Sequence, residues 1–152
     1  MRTWAELESN LKRLLDELKK QPSFQRSELA DIPDKGIYVF YYRNKAIYVG
    51  RSNRLKARIL EHGRPSSKHN SAPFAFNIAK GRMNRGLLDS KRTRKELEVD
   101  AVFITEFTRA KQRVALMKVQ VLEVEDPVMQ TIFEVYAALQ LKTLKYNRFD
   151  TH

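Results

Sequence analysis

Residues 36–62, GIYVFYYRNKAIYVGRSNRLKARILEH, constrain this chain more than any other stretch, because they read as a β-hairpin feeding a helix. Gly36 to Tyr42 and Ala46 to Val49 are rich in β-branched and aromatic residues, and Arg43-Asn44-Lys45 between them is a turn signal. Side chains alternate along a strand, so Ile37 and Val39 share one face of the first strand and Ile47 and Val49 one face of the second. Burying both sets together sends Tyr38 and Tyr48 to the opposite face. That parity calls for a connection of odd length, such as the three residues 43–45. Two phenols are therefore expected side by side.

Ser52 or Asn53 can cap a helix beginning at Arg54, with Leu55 and Ile59 as its inward stripe. Arg54, Arg58 and His62, spaced i, i+4, i+8, point one way. Packing Leu55 and Ile59 on the hairpin would let Arg58 and His62 border the tyrosine face. Two phenols, a guanidinium and an imidazole make a poor apolar core and a good phosphate site.

The GIY at 36–38, the YVG at 48–50, Arg58 eight residues later and His62 four beyond resemble the GIY-YIG nucleases, with Val49 where the family usually carries isoleucine. Glu134 and Asn147 match the family's later glutamate and asparagine, so the resemblance spans residues 36–147 and leaves a long region after His62 that the family pattern does not fix. It implies a DNA endonuclease that uses one Mg²⁺ or Mn²⁺. Tyr38, Tyr48, Arg58 and Glu134 would be catalytic, helped by His62, with Glu134 as the metal ligand. One tyrosine would activate water and the other would hold metal-bound water or phosphate; family precedent leaves open which. Gly36 and Gly50 serve close backbone approach, and Asn147 ties down the chain end near the site.

The residues are consistent with that chemistry. Glu134 has Gln130 and Ala138 one helical turn away and no cation at those positions, so the helix itself does not account for the acid. A lone carboxylate suits a hard cation whose shell is completed by water and phosphate. A phenol titrates near ~10 in water, so a tyrosine base needs a cationic neighbour, either Arg58 or the metal. Arg58 can hold a phosphate bidentately. Other nuclease designs fit badly: two-metal sites need several clustered acids, and only Glu61 lies near the right place. No phosphate-cradling Gly-rich loop with Lys-Ser or Lys-Thr occurs, nor a helical His-Glu-x-x-His.

At 152 residues the chain is expected to form one domain without a separate DNA-binding module. It would consist of an N-terminal helical extension (1–30), the nuclease core, and a basic helical insert (63–112). Its 29 Lys and Arg against 18 Asp and Glu give a net charge of +11, which favours a polyanion but does not separate nucleic acid from an anionic membrane. The absence of Cys closes thiolate-zinc and disulfide readings and fits a reducing compartment. No apolar run approaches the roughly 20 residues of a membrane span, and the N-terminus lacks a signal peptide's apolar core, so a soluble, cytoplasmic protein is expected.

Elsewhere, residues 3–20 predict an amphipathic helix with Trp4, Leu7, Leu11, Leu14, Leu15 and Leu18 on its packed side. Pro73 to Ala79 predicts a short helix pinned by its aromatics. Lys80 to Lys95 is strongly basic; Arg82, Arg85, Arg92 and Arg94, with Arg51 and Arg54, are candidates for phosphate contact, and the alternative for the segment is a solvated loop. A helix is expected over 96–112, on Leu97, Ala101, Ile104 and Thr108, with Phe103 and Phe107 beside them. A third strand is expected over Val114 to Val124, with Met117, Val119 and Val121 on one face and Lys118 and Gln120 on the other. Asp126 and Pro127 would open a last helix, 127–144, burying Val128, Ile132, Val135 and Leu139.

The expected fold is α+β: a small three-stranded antiparallel sheet flanked by helices, with a helical insert. The expected function is metal-dependent DNA cleavage. The alternatives are an inactive nucleic-acid-binding module of the same fold and an RNA-directed nuclease, though no RNA-recognition aromatic signature is present. One site cuts one strand, so double-strand cleavage would need a homodimer or two visits.

Overall fold

The structure, a computed structural model, describes residues 3–83, 93–147 and 149. Among these it is α+β, with one three-stranded antiparallel sheet and six α-helices. They are α1 (Trp4–Lys20), β1 (Gly36–Tyr42), β2 (Lys45–Ser52), α2 (Leu55–Gly63), α3 (Pro73–Met83), α4 (Arg94–Glu98), α5 (Ala101–Ala115), β3 (Lys118–Glu123) and α6 (Pro127–Gln140). Two compact units result. One takes in the described residues up to Ala57 and those from Met117 onward, and the other is Arg58–Leu116. No helix among the described residues is long and apolar enough to cross a membrane.

The sheet unit is built on β1, the central strand of the order β2-β1-β3. Tyr38 faces Gly50 and Phe40 faces Tyr48 across β2, so the two site tyrosines share a face as the apolar alternation requires. The route to that register differs from the expected three-residue loop. Arg43 (φ 51°) and Asn44 (φ 63°) make a two-residue turn in the left-handed region, whose twist matches the strands. A register shift between Phe40 and Tyr41 leaves Ile47 without a partner and supplies the odd residue. Ala46, not Ile47, consequently joins Ile37, Val39 and Val49 in the core.

α1 is capped by Thr3, whose hydroxyl accepts from the Glu6 N–H while Glu6 accepts from the Thr3 N–H. Its Leu11, Leu14, Leu15 and Leu18 are buried; Trp4, expected on the packed side, is exposed. The third strand begins at Lys118, because α5 runs through Ala115. Gln120 pairs with Val39 and is buried, so β3 is covered on both faces rather than polar on one. Its amide is satisfied by the Tyr41 hydroxyl, which donates at 2.6 Å, and by the Gln21 carbonyl, which accepts at 2.7 Å. Burial pushes the Tyr41 phenol above its ordinary pKa.

α6 starts as expected, Asp126 accepting from the Met129 N–H and Pro127 in the first turn, but it ends at Gln140 and packs a different face. Met129, Phe133, Ala137 and Ala138 enter the core, whereas Val128, Val135 and Leu139 are exposed.

In the helical unit α3 and α5 meet through Phe76, Phe103 and Phe107, with ring centroids 5.0–5.9 Å apart. The expected helix 96–112 is two helices, broken where Asp100 accepts from the N–H groups of Val102 and Phe103. Its buried stripe is Phe103, Phe107, Ala110 and Val114, and Ile104 is exposed. Lys111 crosses the Phe107 ring and donates to the carbonyls of Pro65 (2.6 Å) and Ser67 (2.8 Å), fastening the 64–72 loop to α5.

Candidate active site

Four successive residues of β2, Tyr48 to Arg51, gather the polar groups of the sheet unit. Tyr48 lies 6.4 Å, centroid to centroid, from Tyr38. Val49 turns its backbone outward, away from β1: its N–H donates to Asn147 Oδ1 (2.9 Å) and its carbonyl accepts from Asn147 Nδ2 (2.6 Å). Gly50 lies under the Tyr38 ring. A Cβ there would stand 2.6 Å from Cε1 and closer still to Cζ and Oη. Arg51 Nε faces Glu134 Oε1 at 3.5 Å.

Asn147 closes the edge of β2 as one more strand residue would, offering a donor and an acceptor to one peptide unit. The Thr143 hydroxyl donates to the same Oδ1 at 2.7 Å and fixes the amide's orientation. Since Asn147 is buried, Asn147→Ala strands both Val49 groups. A loss of about 3 kcal/mol is expected, read as a fall in Tm of about 9 °C; Thr143→Val should lower Tm by about a third of that.

Glu134 is not the isolated acid that its own helix suggests, because Arg51, 83 positions earlier in the chain, supplies a cation. Its side chain is 20% exposed and that of Arg51 45%. A half-exposed pair at that separation contributes little. Among the described residues no group of three or more His, Cys, Asp or Glu could cage a metal. The donor set fits an ion held by one carboxylate and water, as Mg²⁺ tolerates.

Tyr38 is 1% exposed, whereas Tyr48 is half-buried. Of the pair, only Tyr48 offers appreciable surface to water.

Arg58 and His62 belong to the helical unit. α2 begins at Leu55, whose N–H donates to the Asp34 carbonyl at 2.9 Å; the Ser52 hydroxyl accepts from the Arg54 N–H at 2.8 Å, one residue before the helix, rather than from its first turn. The stripe Arg54, Arg58, His62 runs from exposed through half-buried to completely buried. Arg58 Nη1 donates to the Ser71 carbonyl (3.2 Å) and lies 3.3 Å from Glu61 Oε2, which orient the guanidinium.

Burial, and secondarily the Arg58 charge, lower the His62 pKa to about 3 from an ordinary 6.5, so the ring is neutral at pH 7. The unfolded chain takes up a proton below pH 6.5 that the folded chain refuses until about pH 3. Stability is therefore complete above 6.5 and falls as pH drops through that window. By pH 5 the loss is about 2 kcal/mol, or about 6 °C in Tm. Wild type should lose that much more than His62→Gln between pH 7 and pH 5; parallel melting curves would contradict it.

Of the basic candidates, Arg51 faces Glu134, Arg54 is exposed, Arg82 Nε faces Glu106 at 3.3 Å, and Arg94 covers the Phe76 ring at 5.6 Å. Arg85 and Arg92 lie outside the described residues. One pairing the sequence gave no reason to expect is His69 with Glu98. The His69 hydrogen bond holds that carboxyl below the usual range.

Comparison with family models, with curated proteins and with solved structures finds no match to this chain.

Proposed function

We propose that the chain is a divalent-metal-dependent endonuclease of the GIY-YIG type that hydrolyses DNA phosphodiester bonds at the outer edge of β2. The observation that carries this reading is the pairing of Tyr38 with Tyr48 on one face of the hairpin, with the Arg51–Glu134 pair and Asn147 on neighbouring residues of β2. Hydrolysis needs a deprotonated water, a counter-charge for the phosphorane-like transition state, and help for the leaving oxygen. Tyr48, the more exposed phenol, reacts as its phenolate and takes the water's proton to become the neutral phenol. Tyr38, buried and fixed over Gly50, orients the water or the phosphate. Glu134 holds the single Mg²⁺ or Mn²⁺, which when bound neutralises charge on the phosphate and lowers the pKa of nearby oxygens. Arg51 moves from the carboxylate to a backbone phosphate. The resemblance adds Arg58 as a phosphate ligand and His62 as its helper. The +11 charge favours a nucleic-acid substrate, and cutting both strands would require a homodimer or two encounters.

The test is nicking of supercoiled plasmid with Mg²⁺, Mn²⁺ or EDTA, alongside DNA binding. Metal-dependent nicking supports the enzyme. Binding without cutting across substrates and metals would favour the second reading, an idle binding module in which the Arg51–Glu134 pair is only structural.

A further inference from the structure

The opposite edge of the sheet carries a second feature. Phe24 forms an isolated antiparallel bridge with Val119, its N–H donating to the Val119 carbonyl and its carbonyl accepting from the Val119 N–H, both at 2.8 Å. Val119 therefore points its backbone away from β1, and by the alternation of an antiparallel ladder so do Val121 and Glu123. Phe24 occupies only the first of these outward positions. Beside the other two lies a cavity of about 500 Å³ lined by Gln21, Phe24, Asp31, Ile32, Pro33, Val121, Leu122 and Glu123. Among the described residues no backbone hydrogen bond from outside the sheet reaches the outward groups of Val121 and Glu123. The edge thus shows one residue of strand addition already made and room for its continuation.

The lining also fixes a charge preference. Among the described residues no Lys or Arg lines this cavity, while two carboxylates, Asp31 and Glu123, do. Phe24, Ile32 and Pro33 supply apolar surface. A groove with an open strand edge, an apolar wall and acids at its margin suits an extended chain with alternating apolar and cationic side chains.

We propose that the outer edge of β3, beyond the Phe24 bridge, is a docking groove that takes an extended basic peptide from a partner protein as an added strand. Backbone pairing to Val121 and Glu123 gives affinity, and Asp31 and Glu123 select lysine or arginine. Because the sheet order is β2-β1-β3, this edge is opposite the one closed by Asn147. DNA at β2 and a peptide at β3 can be bound together, and the groove does not depend on the nuclease reading.

The experiment titrates ¹⁵N-labelled protein with the capped peptide Thr-Val-Arg-Val-Lys-Val, its acidic counterpart Thr-Val-Glu-Val-Asp-Val, and two N-methylated versions of the basic peptide that block alternate sets of amides. The basic peptide is expected to shift the Val121 and Glu123 amide resonances and to bind about tenfold tighter than the acidic one. Asp31→Asn with Glu123→Gln should weaken it about fivefold. One methylated version should lose binding while the other keeps it, because only alternate amides of an added strand face β3. No shift at Val121 and Glu123, equal binding of the two charge types, or binding that ignores both methylation patterns would overturn the proposal.

Discussion

Replacing Glu134 by Gln is expected to lower metal-dependent nicking by about three orders of magnitude while leaving DNA affinity at least as high as that of wild type. The substitution keeps the side chain's shape and its place beside Arg51, but exchanges the carboxylate proposed to hold the cation for a neutral amide. Removing a negative charge next to phosphate contacts cannot weaken attraction to a polyanion. A readout besides activity comes from Mn²⁺, whose unpaired electrons should broaden the Gly50, Arg51 and Glu134 amide resonances in wild type and spare them in Glu134→Gln. Nicking that survives the substitution would mean that the metal is held elsewhere.

The second large effect concerns the two glycines of the hairpin, which look equivalent in sequence and are not. A Cβ on Gly36 would run into the Leu122 carbonyl oxygen and stand 3.0 Å from the Val124 nitrogen, both backbone atoms of the neighbouring strand and its extension. Backbone cannot swing aside, so Gly36→Ala must open the β1–β3 ladder, at an expected cost of about 3 kcal/mol or more. A Cβ on Gly50 meets a side chain, the Tyr38 ring. That ring can move, but being 1% exposed it must push its neighbours. For Gly50→Ala we expect a smaller loss, about 1–2 kcal/mol, joined to a fall in nicking of about a hundredfold, because a phenol displaced by about 1 Å no longer fits the reaction. Thermal melts beside nicking rates separate the two. Equal stability losses, or Gly50→Ala at full activity, would show that Tyr38 does not depend on the missing Cβ.

The elements that were legible in the sequence are those where one pattern admits one solution. Alternation over Ile37, Val39 and Val49 puts Tyr38 and Tyr48 on a shared face, and any other register would expose the apolar set. The same parity was satisfied by two devices, a three-residue loop or a two-residue turn with a bulge, and the apolar pattern does not distinguish them. Asn44 tolerates a positive φ, and Arg43 adopts one as well.

α6 shows the converse. Val128, Ile132, Val135 and Leu139 and, on the other side, Met129, Phe133 and Ala137 both have helical spacing. Alanines at 137 and 138 let the helix approach closely while Phe133 fills the gap, so the less hydrophobic stripe is the buried one, and of the other only Ile132 packs partly against the core. Hydrophobicity favoured the first stripe; packing chose the second.

The pairs that define the site are long-range. Arg51 with Glu134 and Val49 with Asn147 are separated by 83 and 98 positions, respectively. No local spacing predicts such partners, and only the resemblance placed Glu134 and Asn147 together. Nor does an i, i+4, i+8 spacing report that His62, at the end of its stripe, is wholly buried.

Whether Tyr38, Tyr48 and Glu134 make up a phosphodiester-cleaving site is read from plasmid nicking in Mg²⁺ by wild type beside Tyr38→Phe/Tyr48→Phe. That double substitution removes two oxygen atoms and keeps both rings in the sheet. Wild type is expected to convert supercoiled to open-circular DNA, with EDTA abolishing the conversion, and the folded double variant to convert none. Equal nicking by the two proteins would contradict it.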